Sequence, residues 1–435
     1  RISHVLTDAY SIYTHTVPAG AFRGFGGPQV AFAYETHLDM IARRLGIDSY
    51  EMRMKNLLAR GESFAGGDTP IDCDLKDGLR RVADGIGWAS RASGGVKSEH
   101  KKRGIGIASA VKDGGGTNKP ANASVKIFND GSVLLSTGSV EMGQGMRTAF
   151  LQVVAEELSV PPEHVRVAVL DTHTTPFDKG TNASSATSVM GQAVLKAAQD
   201  ARAQFLQAAA SVLRGSASEI RLIDGRVVCG EHQLSFCEVM QRYFKDTEGE
   251  ILGRGFFKVP RDENVPLGSP APFWEIGLGA VEVEVDCETG EVKVLRYVSL
   301  TDAGKMINPI QCHAQDEGAA VFGFGQALFE DLVYREGQLV NGSLIDYRLP
   351  RFDDLPESFT TFVMEAGGGP GPYGAKGMGE GGILAVAPAI SNAVYNAVGT
   401  RIQAVPLTPE LVRNAIEGAN GARIEIENPK SKGGN

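Results

Sequence analysis

The chain has 435 residues, enough for two to three domains with a large core, and its 43 Lys and Arg against 52 Asp and Glu give a net charge of −9. A mildly acidic surface argues against nucleic acid as a partner, because phosphate binding needs a basic patch. We find no apolar run of about 18 residues and no signal peptide, so we expect no membrane span.

The five cysteines are odd in number, widely scattered and without a CxxC pair. This usage argues against a disulfide framework, a zinc site or an iron–sulfur site, and it predicts reduced thiols in a cytoplasmic protein. The 54 glycines exceed the average share of roughly 7 % and predict close approaches of backbone to backbone or to a ligand. The chain opens at Arg1 and not at methionine, so we expect a fragment, a processed product or one half of a split subunit.

Apolar spacing predicts one helix over residues 29–58 with a break at Gly46, followed by a polar, glycine-rich stretch and a domain boundary near residue 100. The basic cluster at 101–103 is interpreted as a solvated helix or loop face. Further predicted elements are a hairpin at 123–136, a helix at 146–158, a strand at 164–170, a helix at 190–213, a hairpin at 222–228, a helix at 234–244, a hairpin at 276–300, and helices at 314–329, 383–398 and 409–418. The irregular order predicts an α+β fold with mixed sheets and packed helices, and the recurring hairpin-then-helix order suggests an old duplication.

Four glycine-rich segments, at 24–27, 142–145, 323–326 and 374–382, precede or begin predicted helices. Free backbone N–H groups at such positions favour anions, although tight turns and close packing explain each segment equally well. The last segment contains a formal G-x-G-x-x-G, but it lacks the preceding strand and the later acidic residue of a dinucleotide fingerprint. We therefore reject nucleotide binding by this segment.

Glu380 lies among glycines just before an apolar helix. Partial burial would suit it to general-base catalysis, and the alternative is a carboxylate that caps the helix dipole. The small hydroxyl and amide side chains of 181–188 suit a ligand that carries phosphate, or else an ordinary helix cap. His173 and His313 have no partners at metal-ligand spacing.

Five motifs in order give a resemblance that covers residues 21 to about 400. They are Ala-Phe-Arg-Gly-Phe-Gly-Gly-Pro-Gln at 21–29, Glu-Met-Gly-Gln-Gly at 141–145, Gly-Gln-Ala-Val at 191–194, Asn308-Pro309 with Gln315 and Glu-Gly-Ala at 317–319, and Gly-Ala-Lys-Gly-Met-Gly-Glu at 374–380. Together they resemble the molybdenum-binding subunit of the xanthine dehydrogenase/aldehyde oxidase family of molybdenum hydroxylases. The resemblance implies the cofactor-binding fold of that family.

The resemblance also implies a molybdopterin cofactor, in its cytosine dinucleotide or plain form, that carries molybdenum without a direct bond to a side chain. Backbone amides and glutamines hold the cofactor in this family. By position, the matching residues are Arg23, Gly24 and Phe25 beside the metal, Gly143, Gln144 and Gly145 near its ligands, Ala183, Ser184 and Ser185 at the phosphate, and Gln315 at the pterin.

Glu380 matches the family's general base in a hydroxylation that takes its oxygen from water and adds it to an electron-poor carbon. Electrons would leave through 2Fe-2S and FAD groups on partner subunits, since neither group has a binding signature here. Family subunits are far longer, so a partner chain carrying the N-terminal half is expected unless the chain is truncated. Residues 1–100 would then be the tail of a first molybdopterin-binding domain and 101–435 the second.

Only a few residues bear on the class of substrate. Arg23 and Phe25 match positions that orient and stack an aromatic ring, which favours a planar N-heterocycle such as a purine or nicotinate. Residues 111–116 lack the second stacking aromatic of purine-oxidising members, and there Lys112 is either a partner for a substrate carboxylate or a surface lysine. An aldehyde, a hydroxybenzoyl thioester or a non-catalytic scaffold subunit are the alternatives.

Overall fold

The computed structural model describes residues 6–17, 20–64, 67–91, 100–260 and 271–427. The α-helices in these ranges are α1 (Gly27–Arg44), α2 (Ser49–Asn56), α3 (Leu75–Ile86), α4 (Met146–Leu158), α5 (Gly191–Leu213), α6 (Phe236–Phe244), α7 (Pro309–Phe324), α8 (Val386–Val398) and α9 (Pro409–Glu427). Two π-helical turns, Ala186–Met190 and Gly325–Phe329, adjoin α5 and α7, and a 3₁₀ turn, Gly381–Ile383, precedes α8. The strands are β1 (Lys101–Asp113), β2 (Pro120–Ile127), β3 (Val133–Thr137), β4 (Val165–Val167), β5 (Arg221–Ile223), β6 (Arg226–Cys229), β7 (His232–Ser235), β8 (Ile251–Lys258), β9 (Trp274–Asp286), β10 (Val292–Asp302), β11 (Tyr334–Arg335), β12 (Gln338–Leu339) and β13 (Ser358–Met364).

The larger mixed sheet has the strand order β1-β9-β10-β13. Strand β9 is antiparallel to both of its neighbours, and β13 runs parallel to β10. Alternate residues of β9 enter two different cores, because successive side chains of a strand point to opposite faces. Val281, Val283 and Val285 pack with α7 and α8, whereas Ile276 and Leu278 pack with α3.

A second mixed sheet has the order β4-β3-β2-β8, with β4 parallel to β3 and the other pairs antiparallel. Helices α4 and α5 share one core with it. A three-stranded meander, β5-β6-β7, and the hairpin β11-β12 complete the sheets of the described residues. The chain is therefore α+β with mixed sheets, which confirms the predicted fold class.

An alanine-rich helix packs against each mixed sheet at a very short distance. A Cβ atom on Gly106 of β1 would lie 2.0 Å from the carbonyl oxygen of Ala389 in α8, and one on Gly255 of β8 would lie 1.9 Å from that of Ala193 in α5. Only glycine permits such an approach, so part of the glycine excess serves packing of helix on strand. The same device in both sheets supports the duplication that the element order suggests.

The locally patterned elements match prediction best. Helix α4 has the predicted bounds, and the hairpins at 123–136, 222–228 and 276–300 are present. The break predicted at Gly46 is confirmed, and it divides the helix predicted at 29–58 into the separate helices α1 and α2, because Gly46 adopts φ +66° between them. The strand predicted at 164–170 shortens to β4, and α3, β8 and β13 were missed.

The basic cluster at 101–103 is also corrected. It is not a solvated helix or loop face but the start of edge strand β1. Lys101 and Arg103 form ion pairs with Glu284 of β9 at 3.2 and 3.1 Å. The positive charges of Lys101 and Arg103 therefore pair across the strands, which favours the register of β1 with β9.

The expectation that the chain has no long apolar segment is wrong for one stretch of the described residues. Residues Gly381–Val398 reach a mean hydropathy of 1.3 over 18 residues, enough by length and composition for a membrane span. However, 78 % of this stretch is buried inside the protein, where α8 packs on β1 and β9. It is a core helix of the larger sheet.

Helix α1 is buried on its polar side. Glu35 forms a buried ion pair with Arg53 at 2.5 Å and accepts a hydrogen bond from Ser109 at 3.0 Å. Asp39, equally buried, pairs with Arg43 and Arg401 at 3.0 and 2.5 Å. These contacts join α1 to α2, to β1 and to the segment after α8.

Helix α7 carries a buried acid against the larger sheet. Asp316 is fully buried, and its Oδ2 accepts a hydrogen bond of 2.5 Å from Ser299 of β10. Its Oδ1 has no hydrogen-bond partner among the described residues. Burial raises the pKa of Asp316 from 3.8 to about 7, against the hydrogen bond from Ser299 and the charge of Arg23, which lower it.

The contact between β8 and α5 predicts the effect of a single added methyl group. Gly255→Ala places a Cβ atom against the backbone of α5 and should lower the free energy of unfolding by about 3 kcal/mol or more. Gly418→Ala is the matched control, because Gly418 lies in α9 with open space around it and should gain up to about 1 kcal/mol. Urea unfolding of the full chain measures both, and equal stability of the two variants would contradict this packing.

Asp316 predicts a pH dependence of stability. Because the pKa of Asp316 is higher in the folded than in the unfolded chain, its contribution is complete below about pH 4 and is lost as the pH rises through 7. Relative to Asp316→Asn, the wild-type chain should lose up to about 4 kcal/mol between pH 4 and pH 8. Urea midpoints of both proteins across this range test the prediction, and parallel curves would contradict it.

Candidate functional site

The carboxylate of Glu380 is the point where several of the predicted segments meet. Its Oε1 accepts a hydrogen bond of 3.2 Å from the backbone N–H of Gly24. Its Oε2 lies 3.0 Å from Nζ of Lys112 and 3.2 Å from Oγ of Ser184. The side chain of Glu380 is 13 % exposed, so the acid is nearly buried but keeps some contact with solvent.

A second acid, Glu275, holds this arrangement from behind. Glu275 is fully buried, accepts the backbone N–H of Glu380 at 3.0 Å and pairs with Lys112 at 3.2 Å. Burial raises the pKa of Glu275, while the charge of Lys112 lowers it. Sequence analysis missed Glu275, although an acid at the start of the apolar strand Trp274–Asp286 was an available signal.

Lys112 lies between the two acids with 8 % of its side chain exposed, so its interpretation as a surface lysine is wrong. Burial lowers the pKa of Lys112, but the charges of Glu275 and Glu380 outweigh it and the net shift is upward. Lys112 is therefore a buried cation that compensates two carboxylates. The register of the sheet explains the pairing with Glu275, since the two residues are direct partners across β1 and β9.

Arg23 ties the loop of Glu380 to helix α7. Its Nε donates to the carbonyl oxygen of Gly379 at 2.5 Å, and its Nη2 donates to the backbone oxygen and Oε1 of Gln315 at 3.0 and 3.1 Å. The guanidinium also lies 5.6 Å from the centre of the Phe322 ring. Both hydrogen bonds from Nη2 therefore end on oxygens of Gln315.

The loop at 182–185 enters the site in a left-handed backbone conformation, with φ +51° at Ala183 and +52° at Ser184. The backbone N–H of Gly115 donates to Ala183 at 3.0 Å, and Lys119 donates to Oγ of Ser185 at 3.0 Å. A Cβ atom on Gly377 would lie 1.5 Å from the carbonyl oxygen of Ser184. The loop at 182–185 and the glycine-rich loop at 374–382 therefore touch backbone to backbone, which requires glycine at 377.

The loop at 141–145 is organised by Glu141, whose Oε1 accepts the N–H groups of Gly143 and Gly145 at 3.0 and 2.9 Å. The side chain of Gln144 bonds within the same loop, to the backbone of Val140 and Met142. A Cβ atom on Gly145 would lie 2.5 Å from the side chain of Gln311, one turn before Gln315 on α7. Helix α7 thus links this loop to Arg23, although no direct contact joins Gln144 to Glu380 in the described chain.

Phe25 has a positive φ of +47° and is 71 % exposed beside Gly24. Its neighbour Phe22 packs on Phe322, with ring centres 5.9 Å apart. Phe25 therefore remains available to a ligand or to another chain, and its role as a stacking residue stays a prediction.

One group of metal-ligand residue types occurs in the described chain, at Asp72, Cys73 and Asp302. Nζ of Lys376 lies 2.6 Å from both Asp72 and Asp302, so an ammonium group already neutralises these acids. Burial raises the pKa of the Cys73 thiol to about 12, which makes it a poor ligand. This cluster anchors the glycine-rich loop four residues before Glu380.

The residues of the candidate site fit a pterin cofactor that is held by hydrogen bonds from amide groups. Gln192 in the first turn of α5 has a buried Oε1 with no partner among the described residues, and Gln315 adds a second side-chain amide, whose Oε1 accepts from Arg23. Both are amide groups that a ligand with ring nitrogens and carbonyls would satisfy. Lys119 beside Ser185 adds a positive charge at the loop expected to hold phosphate.

Comparison with known families agrees with this arrangement. Residues 81–356 match a family model described as "Molybdopterin cofactor-binding domain", and residues 1–57 match a second model with the same description. The chain is 32 % identical over 412 residues to a putative xanthine dehydrogenase molybdenum-binding subunit of Escherichia coli, covering 92 % of this chain and 53 % of that protein. It is 30 % identical to the gamma subunit of the 6-hydroxypseudooxynicotine dehydrogenase complex of Paenarthrobacter nicotinovorans, covering 95 % and 53 %.

Among solved structures, quinoline 2-oxidoreductase from Pseudomonas putida 86 superposes with a TM-score of 0.80 at 26 % identity, covering 92 % of this chain and 53 % of that one. The chain spans about half the length of the curated relatives it matches. The matches cover nearly every motif on which the resemblance rests. The chain therefore belongs to the molybdopterin cofactor-binding family found in molybdenum-binding subunits of the xanthine dehydrogenase type.

Proposed function

We propose that this chain forms part of a molybdenum-dependent hydroxylase and supplies its general base, Glu380. One observation carries the proposal. Gly24, Lys112 and Ser184 come from three distant segments, and all three bond to the nearly buried carboxylate of Glu380. A helix cap needs no such set of partners. A carboxylate that must accept a proton next to a bound cofactor does need a fixed position.

The residues that would hold the cofactor are the predicted ones: the loop of Gln144, the loop of Ala183 to Ser185, and Gln315, with the cytosine dinucleotide as the proposed form. Bound molybdenum would supply the electron acceptor for substrate oxidation, and no side chain of this chain is proposed to ligate it. Gly24 and Phe25 would line the metal end. Lys119 would oppose the charge of the cofactor phosphate.

The hydrogen bonds of Glu380 indicate which oxygen takes the proton. Oε2 receives a charged donor, Lys112, and the hydroxyl of Ser184, whereas Oε1 receives only the weaker N–H of Gly24. A carboxylate oxygen bound by a cation is the less basic one. The proton is therefore taken at Oε1, and Lys112 stays charged and fixes the opposite side of the carboxylate.

A planar aromatic N-heterocycle is the proposed substrate class. Exposed Phe25 supplies a ring face beside Gly24, and the relatives are named for xanthine, 6-hydroxypseudooxynicotine and quinoline. Arg23 and Lys112 bond to groups of the chain itself, so we assign them to the base loop and not to the substrate. An aldehyde or a hydroxybenzoyl thioester would use the same base, and a scaffold subunit would use none.

The remaining parts of the enzyme are proposed to lie outside these 435 residues. They are the other half of the molybdenum-binding subunit, a 2Fe-2S subunit and an FAD subunit, all in the cytoplasm. The gamma subunit named among the relatives is one subunit of a dehydrogenase complex. Coverage of about half of each relative supports the first of these partners.

Glu380→Gln tests the base in the complete complex. Turnover should fall by about 10²–10⁴-fold, because the amide cannot accept the proton, while molybdenum content stays at about one per chain. Glu284→Gln is the matched control, because Glu284 pairs with Lys101 and Arg103 at the edge of the sheet. Full turnover in Glu380→Gln would place the base elsewhere, and a wild-type complex without molybdenum would favour the scaffold.

A double-mutant cycle tests the buried cation. Lys112→Met should destabilise the full chain by about 3–5 kcal/mol, because Glu275 is then left buried without its partner. Adding Glu275→Gln should recover much of that loss, since the amide carries no charge to compensate. Urea unfolding of the wild type, both single variants and the double variant measures the coupling. Additive losses would show that the two residues act independently.

A further inference from the structure

Helix α1 turns its apolar stripe to solvent. Val30 and Leu45 are each 62 % exposed, Tyr34 is 40 % and Ile41 is 38 % exposed. Their spacing places them along one side of the helix for about four turns, or roughly 22 Å.

The rotation of α1 is fixed by its buried acids. Glu35 is paired with Arg53, itself 1 % exposed, and Asp39 is paired with Arg43 and Arg401. Turning the apolar side inward would expel these acids from their cationic partners, at a cost of several kcal/mol for each uncompensated charge. The exposed stripe is thus a built feature of this chain, not a helix end that is loosely packed.

We propose that the exposed side of α1 is the docking surface for the missing half of the molybdopterin-binding subunit, a further inference that rests on the proposed function. An exposed apolar stripe of this length is typical of a protein interface. The helix lies in the region 1–57, which matches a molybdopterin-binding model separate from the one at 81–356. About half of each relative lies outside the match, so a polypeptide of comparable size remains to be placed.

The position of α1 relative to the site favours this occupant over a second copy of the chain. The helix begins at Gly27, three residues after Gly24 donates to Glu380. A Cβ atom on Gly27 would lie 3.6 Å from the side chain of Lys112. A partner seated on α1 at Val30 would therefore lie three residues along the chain from Gly27, which approaches Lys112.

Site-specific photo-crosslinking in the source cells tests the proposal, with a benzoylphenylalanine residue at position 41 or 45. The expected product joins α1 to a peptide of a molybdopterin-binding sequence outside residues 1–435, whether on the same or another polypeptide. The matched control carries the same group at position 345, because Ile345 is 94 % exposed and far along the chain from α1. Ile41→Glu combined with Leu45→Glu should lower co-purification of a separate partner at least tenfold, or expose α1 to limited proteolysis if the partner is covalently attached, whereas Ile345→Glu should do neither.

A crosslink to residues of a second copy of this chain would overturn the proposal in favour of self-association. A crosslink to an iron–sulfur or flavin subunit, or no crosslink from either position, would overturn it as well. Each readout is independent of turnover. A normal crosslink with an active Glu380→Gln enzyme would refute only the proposed base, and a missing crosslink with an inactive Glu380→Gln enzyme would refute only the docking surface.

Discussion

The ammonium group of Lys112 is the interaction on which the candidate site depends. Two carboxylates, Glu275 and Glu380, approach it to 3.2 and 3.0 Å in a nearly dry environment. Without a cation between them, the two acids would repel each other and one would be neutralised, as carboxylates that share a site are. The cation is placed by strand register, because Lys112 and Glu275 face each other across β1 and β9. Glu275 then fixes the backbone of Glu380, so the position of the base follows from the pairing of two strands.

The repeated packing of a helix on glycine explains why the two site loops meet. Helix α5 lies on Gly255 and α8 lies on Gly106, each at a distance that no larger residue permits. The loop before each helix therefore projects from the start of a tightly seated element. These loops carry Ser184 and Glu380, whose side chains are 3.2 Å apart. Flexible loops on loosely packed helices would lose this distance, so the glycine and alanine content of the chain contributes to function through rigidity.

Local pattern and motif sufficed for much of the fold, and they singled out Glu380 as a candidate. Helix α4 and the hairpins follow from periodicity and turn residues within short windows, and the glycine-rich motifs placed the loops that converge. The pairing of Lys112 with Glu275 was beyond such reasoning, since the two residues are 163 positions apart and meet through sheet register. The rotation of α1 was beyond it for a related reason. Its apolar periodicity predicts a buried stripe, and only the distant partners of Glu35 and Asp39 reverse that choice.

Strand β9 and helix α1 depart from the local sequence pattern in the same way. Each buries an acid at a position where an apolar residue would cost less free energy. In β9 the buried acid has a direct use, because Glu275 orients the candidate base through Lys112 and through a backbone N–H. In α1 the buried acids bond only to groups of the same chain, so they give no chemical function of their own. Their effect is to direct the apolar stripe outward. A sequence retains buried charges, despite their cost in free energy, where they give specificity. The proposed docking of the remaining molybdopterin-binding sequence on this stripe would be a gain of that kind, and the site would then be completed only when the two parts meet.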